Sequence, residues 1–158
     1  MSKLNCTSQI NPQVLRHTLR LGPTIHTHLM LAQSVNASLY PTWLAHVSEP
    51  GARDAFVYLV GFAATLKSLT CHARFKGAVR DFRFYAAAEE QSFSFSFIIN
   101  KKWLLFYFRS PSVRSRKYSA ELLAQQFPSM KVNTRGEWTV RIASLQEAQR
   151  LTCFLAIE

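Results

Sequence analysis

The densest chemistry in the sequence is cationic. Between residues 74 and 117 stand Arg74, Lys76, Arg80, Arg83, Lys101, Lys102, Arg109, Arg114, Arg116 and Lys117, against only Asp81, Glu89 and Glu90. That stretch holds most of the chain's net charge of +10. Clustered cations attract polyanions, because each phosphate they neutralise releases condensed counterions. Arginine forks grip phosphate oxygens in pairs, and hydroxyls add neutral donors. The run Arg109-Ser-Pro-Ser-Val-Arg-Ser-Arg-Lys117 interleaves both kinds of group and reads as a phosphate-gripping loop. Lys101 and Lys102 stand at the other end of the strand that Arg109 closes.

Aromatic residues lie among these cations. Tyr85 and Tyr107 alternate onto the sides that carry Arg83 and Arg109, which makes them candidates for stacking on nucleic-acid bases. The predicted contact set is therefore Arg83, Tyr85, Lys101, Lys102, Tyr107, Arg109, Arg114, Arg116 and Lys117. Phe93, Phe95 and Phe97 alternate with Ser92, Ser94 and Ser96. If the serines face water, the phenylalanines face the core.

Other chemistries lack their residues. His26 and His28 are two apart and diverge on a helix, no acid lies nearby in sequence, and Cys6, Cys71 and Cys153 are widely spaced. No metal site or cofactor is expected from such a set. Asp81 with Glu89 or Glu90 approaches a nuclease spacing, but Gln91 and Ser92 follow where a lysine is needed. A metal-dependent nuclease is thus a minor reading. There is no nucleophile elbow and no glycine-rich phosphate loop. A helix-turn-helix over residues 12–48 fails because its second helix would carry no Lys or Arg.

These residues need a scaffold, and hydrophobic periodicity outlines it. Asn11-Pro12 opens one helix, a second runs from Ile25 to Leu39, and a short turn carries Trp43, Leu44 and Val47. Glu49-Pro50-Gly51 reads as a break before a central helix over Arg53–Leu69. After His72 the period changes from 3.6 to 2. Strands are predicted over 79–85, 92–99, 103–109 and 138–143. Ser119 caps a helix holding Leu122, Leu123 and Phe127, and Ser144 to Glu147 forms a capping box. Gly136 is expected at positive φ, with Arg135 and Glu137 paired across that turn.

The expected fold is α+β: a helical N-terminal half packed on one face of a mainly antiparallel four-stranded sheet, with a β-α C-terminal finish. One domain over residues 1–158 is expected, with a subdivision near 72 as the alternative (1–72 helical, 73–158 sheet-containing). The longest apolar run, Ala55–Leu66, has twelve residues, against about 20 for a bilayer span, so no membrane partner is expected. Three scattered cysteines fit a cytoplasmic location. Charge and pattern together predict a small nucleic-acid-binding accessory protein, not an enzyme, that grips phosphates with a basic sheet rim and loop. The alternative is a protein–protein interaction module, an inhibitor or assembly subunit, docking on an acidic partner.

Overall fold

The computed structural model describes residues 38–76, 78–86 and 92–157. The helices expected over Asn11–Gly22 and Ile25–Leu39 lie wholly or almost wholly outside them, as do Glu89 and Glu90. The chain is α+β, with five described helices and a six-stranded sheet. In chain order the elements are α1 (Leu39–His46), α2 (Pro50–Thr65), β1 (Leu69–Lys76), β2 (Val79–Ala86), β3 (Phe93–Ile99) and β4 (Leu104–Phe108). Then follow α3 (Ser110–Arg114), α4 (Ala120–Gln126), β5 (Lys131–Val132), β6 (Trp138–Ile142) and α5 (Leu145–Leu155).

The sheet runs β1-β2-β3-β4-β6-β5, with every neighbouring pair antiparallel. The four expected strands are β2, β3, β4 and β6. The two additions are edge strands. β1 alternates as regularly as its neighbours, but its inward residues Cys71 and Ala73 are too small to stand out as a hydrophobic pattern. β5 has two residues, both exposed, which is below any detectable period.

Two rows of side chains cross the inner face and form the core. One row is Phe84–Phe95–Phe108–Trp138, the other Phe82–Phe97–Phe106–Val140. The helices lie on this face. Phe56 of α2 meets Phe97 edge-on at 6.3 Å, Tyr40 of α1 lies 5.9 Å from Phe82, and Phe154 of α5 lies 6.1 Å from Phe108. The core cluster extends from Trp43 to Leu155 and so draws on residues either side of position 72. Leu66 is half-buried at the end of α2 and packs against this core.

Two expectations about the chain's turns change. The break expected at Glu49-Pro50-Gly51 does separate two helices, but it ends at Glu49, and Pro50 already opens α2, where its missing N–H costs nothing. Gly51 is needed for close packing: a Cβ there would stand 2.7 Å from the Ala143 carbonyl oxygen. Ser110–Lys117 is not all loop, since Ser110–Arg114 is a short helix with proline in its first turn. The caps are as expected. The Ser119 hydroxyl accepts from the Leu122 N–H, and Ser144 accepts from the Glu147 N–H while the Glu147 carboxylate accepts from the Ala143 N–H. Gly136 sits at φ 74 in its turn. Among the described residues no helix is long and apolar enough to cross a membrane.

Candidate functional site

With the helices on the inner face, the opposite residues of each strand form an outer face on which no described helix packs. Cross-strand register places Arg83, Ser96, Tyr107 and Thr139 in one row, and Asp81, Ile98, Leu105 and Arg141 in the next. His72 and Arg74 of β1 pair with Arg83 and Asp81.

Phe93 belongs to this face, against the expectation that it joins Phe95 and Phe97 inside. The pairing of β2 with β3 steps from Phe84–Phe95 to Tyr85–Phe93, so Ser94 is an extra residue. Such a bulge breaks the alternation and re-aims the next side chain. The Phe93 ring lies 5.6 Å from the Tyr85 ring, with the Arg83 guanidinium 4.4 Å and the Arg109 guanidinium 5.2 Å from its centroid. Arg109 also lies 4.2 Å from the Tyr107 ring, and Arg141 covers the Trp103 ring at 4.3 Å. Phe93, Trp103 and Arg141 were absent from the predicted contact set. A sequence signal existed for Trp103 and Arg141, which alternate onto the side of Tyr107 and Thr139; none existed for the bulge.

The central arginines are held by acids beneath them. Arg83 donates to the Asp81 carboxylate. Arg109 Nη1 donates to Glu137 Oε2 at 3.1 Å, while its Nε donates to Ser96 Oγ at 3.0 Å. Glu137 also accepts from Asn133 Nδ2 at 3.0 Å. Glu137 is thus paired with Arg109 across the sheet, and the ion pair expected with Arg135 does not form. Burial disfavours the charge on Arg83, but its hydrogen bonds with Asp81 and Tyr85 and their attraction outweigh this and raise its pKa. Both guanidiniums therefore present flat, charged planes with part of their charge offset locally.

Polar capacity remains unused at one corner. Asp81 Oδ1 and His72 Nδ1 are buried without a hydrogen-bond partner. An unmatched buried polar atom costs about 1–3 kcal/mol. Tyr85 itself is buried, its hydroxyl accepting from Arg74 Nη1 at 3.4 Å, so it offers little surface to a ligand.

The other predicted cations stand at the two ends of β4. Lys101 and Lys102 are exposed on the β3–β4 turn. Arg109 closes the far end, about 17 Å of strand away. Arg114, Arg116 and Lys117 follow on α3 and its exit, all exposed. Lys117 turns toward the helix layer, where its Nζ donates to the Ala156 carbonyl at 3.2 Å beyond the end of α5. Arg116 is held at φ 56, a left-handed conformation that costs a non-glycine residue about 1–2 kcal/mol. The nine predicted residues thus divide three ways: Arg83, Tyr85, Tyr107 and Arg109 form the centre, with one cationic cluster beyond each end of β4.

Neither a protein-family model, nor a curated protein, nor a solved structure matches this chain. The site must therefore be read from its own chemistry. Among the described residues no three His, Cys, Asp or Glu side chains come together as a metal site. Asp81 has one carboxylate oxygen bonded to Arg83.

Proposed function

We propose that the chain binds nucleic acid across the outer face of its sheet, stacking bases at the centre and holding phosphates at both ends of β4. The observation that carries this reading is the set of rings overlaid by guanidiniums at 4.2–4.4 Å: Phe93 under Arg83, Tyr107 under Arg109 and Trp103 under Arg141. Bases stack on aromatic rings and on arginine planes alike, and every base has a face to offer. A single strand suits this arrangement, because its bases are free to splay onto a sheet. Affinity would come from Lys101, Lys102, Arg114, Arg116 and Arg141, whose charge no described acid pairs at ion-pair distance. In this reading the protein is a cytoplasmic accessory factor that carries out no reaction on its ligand.

The internal pairing of Arg83 with Asp81 and of Arg109 with Glu137 favours a second reading. Aromatic rings and arginines with locally offset charge also make protein interfaces. An acidic protein partner would then dock on the same face.

The test is titration of a labelled single-stranded oligonucleotide over a range of salt. Converting Arg114, Arg116 and Lys117 together to Ala should weaken binding and flatten the log–log salt slope by about 0.7 for each phosphate no longer held. Tyr107→Ala should weaken binding with the slope nearly unchanged, since stacking carries no counterions. Absence of binding by the unaltered chain at about 50 mM salt, where such interactions are strong, would leave the acidic-partner reading in its place.

A further inference from the structure

The lysine end of the outer face is more elaborate than two exposed side chains. The Lys101 carbonyl accepts three hydrogen bonds from the α1–α2 junction: the Ser48 N–H at 2.8 Å, the Glu49 N–H at 3.2 Å and the Ser48 hydroxyl at 3.2 Å. The β3–β4 turn is closed by the Asn100 N–H to the Trp103 carbonyl at 3.1 Å. These bonds fix the turn against the end of α1. His46 occupies the last turn of α1. Arg80 comes from the neighbouring strand β2, one residue before Asp81, which pairs with Ile98 near the end of β3. Alternation turns Arg80 to the helix side of the sheet, and its charge, like that of Lys101, acts on His46. Three separate elements therefore bring cationic groups to one anchored corner.

We propose that His46, Arg80, Lys101 and Lys102 form a phosphate-binding site whose occupancy is linked to protonation of His46. The inference rests on reading Lys101 and Lys102 as phosphate contacts and adds to it a further pair of residues and a pH dependence. The ligand is a phosphate group, carried by a nucleic-acid backbone or by a small phosphorylated molecule.

The electrostatics give the linkage its sign. Burial and then the charges of Arg80 and Lys101 hold the His46 pKa below its ordinary value, so the imidazole is neutral at pH 7. Among the described residues an opposing charge stands at Glu49, exposed on the segment that opens α2, with Arg53 one helical turn further on. A bound anion neutralises the cations that depress His46 and so restores its proton. By reciprocity, a protonated His46 tightens the anion by the same factor. Two unit charges about 4 Å apart in water interact by about 1 kcal/mol, or roughly fivefold in affinity. Binding should therefore strengthen as pH falls through the His46 pKa.

The experiment follows the His46 ring resonances by NMR, assigned by their loss in His46→Gln, between about pH 5 and pH 8. The first probe is inorganic sulfate, whose charge is constant over that range, at ionic strength held fixed with chloride; the second is a short single-stranded oligonucleotide. Sulfate should raise the His46 pKa, bind about fivefold tighter at the acid end than at the alkaline end, and lose that dependence in His46→Gln. The anion-induced shift should shrink in Lys101→Ala/Lys102→Ala, whatever the resting pKa of His46 in that variant. A shift caused only by the oligonucleotide supports a site that takes phosphate within a polymer. A shift caused by sulfate, with no oligonucleotide binding at all, keeps the site but discards the nucleic-acid reading. No shift with either probe, or an undiminished shift in the double-lysine variant, overturns the proposal.

Discussion

The inner and outer faces of this sheet are built from the same strands and are both rich in aromatic residues, yet they are completed differently. On the inner face, Phe82, Phe84, Phe97, Phe106 and Phe108 are fully buried and meet one another and the helices. On the outer face, Phe93, Trp103 and Tyr107 are half-buried and are covered by arginines. An aromatic ring becomes core or binding surface according to what lies over it. Helices remove the inner rings from water for good, whereas long cationic side chains can be displaced by a flat ligand that offers equal contact.

The adjacent residues Phe106 and Tyr107 give the sharpest form of that contrast. Phe106→Ala should destabilise the fold by about 3–5 kcal/mol, as should Phe97→Ala, because each leaves a cavity in a packed aromatic layer. Chemical denaturation measures this directly. Tyr107→Ala should cost only about 1 kcal/mol, the scale of one partly exposed cation–π contact. Equal losses at 106 and 107 would mean that the outer face contributes to folding as strongly as the inner one.

The ion pair beneath Arg109 tests the same division from the polar side. Glu137 has a side chain 10% exposed and accepts from both Arg109 and Asn133. Glu137→Ala leaves Arg109 without its acid and should cost about 3 kcal/mol, since removing one partner of a buried pair strands the other. The loss should appear in denaturation midpoints and should exceed that of Tyr107→Ala. A loss near zero would show that Arg109 is solvated well enough to stand alone. In that case its charge would be available to a ligand.

Close packing at the edge of the helix layer sets a third, intermediate effect. Gly51→Ala places a methyl group 2.7 Å from the Ala143 carbonyl oxygen, a contact with backbone that cannot swing away. Overpacking of this kind should cost about 1–3 kcal/mol. Gly61→Ala is the control, because nothing lies within 4 Å of a Cβ there. Helix propensity alone should make that variant neutral or slightly stabilising. Matched behaviour of the two variants would mean that the start of α2 shifts to relieve the contact.

Much of this architecture was legible in the residue pattern, and the failures have physical causes. Strong alternation of large residues marked β2, β3, β4 and β6 to within a residue or two. β1 was hidden by the small side chains of Cys71 and Ala73, and β5 by its length. Pro50-Gly51 looked like part of the break because proline and glycine serve both as helix openers and as interruptions. At the site, period-2 reasoning placed Tyr85 with Arg83 and Tyr107 with Arg109, and strand pairing brings these two pairs onto one face. The same reasoning placed Phe93 on the wrong face because one extra residue at Ser94 reverses the count. That Arg109 is held by Glu137 could not be read from spacing, since the two meet only through the pairing of β4 with β6.

The smallest effect distinguishes buried from exposed chemistry by reactivity. Cys71 faces the helix side of β1 and lines a cavity of about 260 Å³ with Val60, Ala63 and Phe82. Burial pushes its thiol up from 9.0 to about 12. Cys153 is exposed on α5. The thiolate is the nucleophile, so near pH 8.5 iodoacetamide should label Cys153 well before Cys71, as read by mass spectrometry of peptides. The raised pKa of Cys71 also carries a stability consequence. Between pH 9 and about pH 12 the folded chain keeps a proton that the unfolded chain gives up, so stability falls as pH rises through that window. Tyr118, pushed up from 10.0 to about 12 by burial, acts in the same direction over its own part of the range. Cys71→Ala should be less stable than the unaltered chain at neutral pH, because it removes a packed side chain, and should lose less on going to pH 11. Rapid labelling of Cys71 in the folded state, or an alkaline loss unchanged in Cys71→Ala, would show that β1 opens to solvent and that the inner face is not closed along that edge.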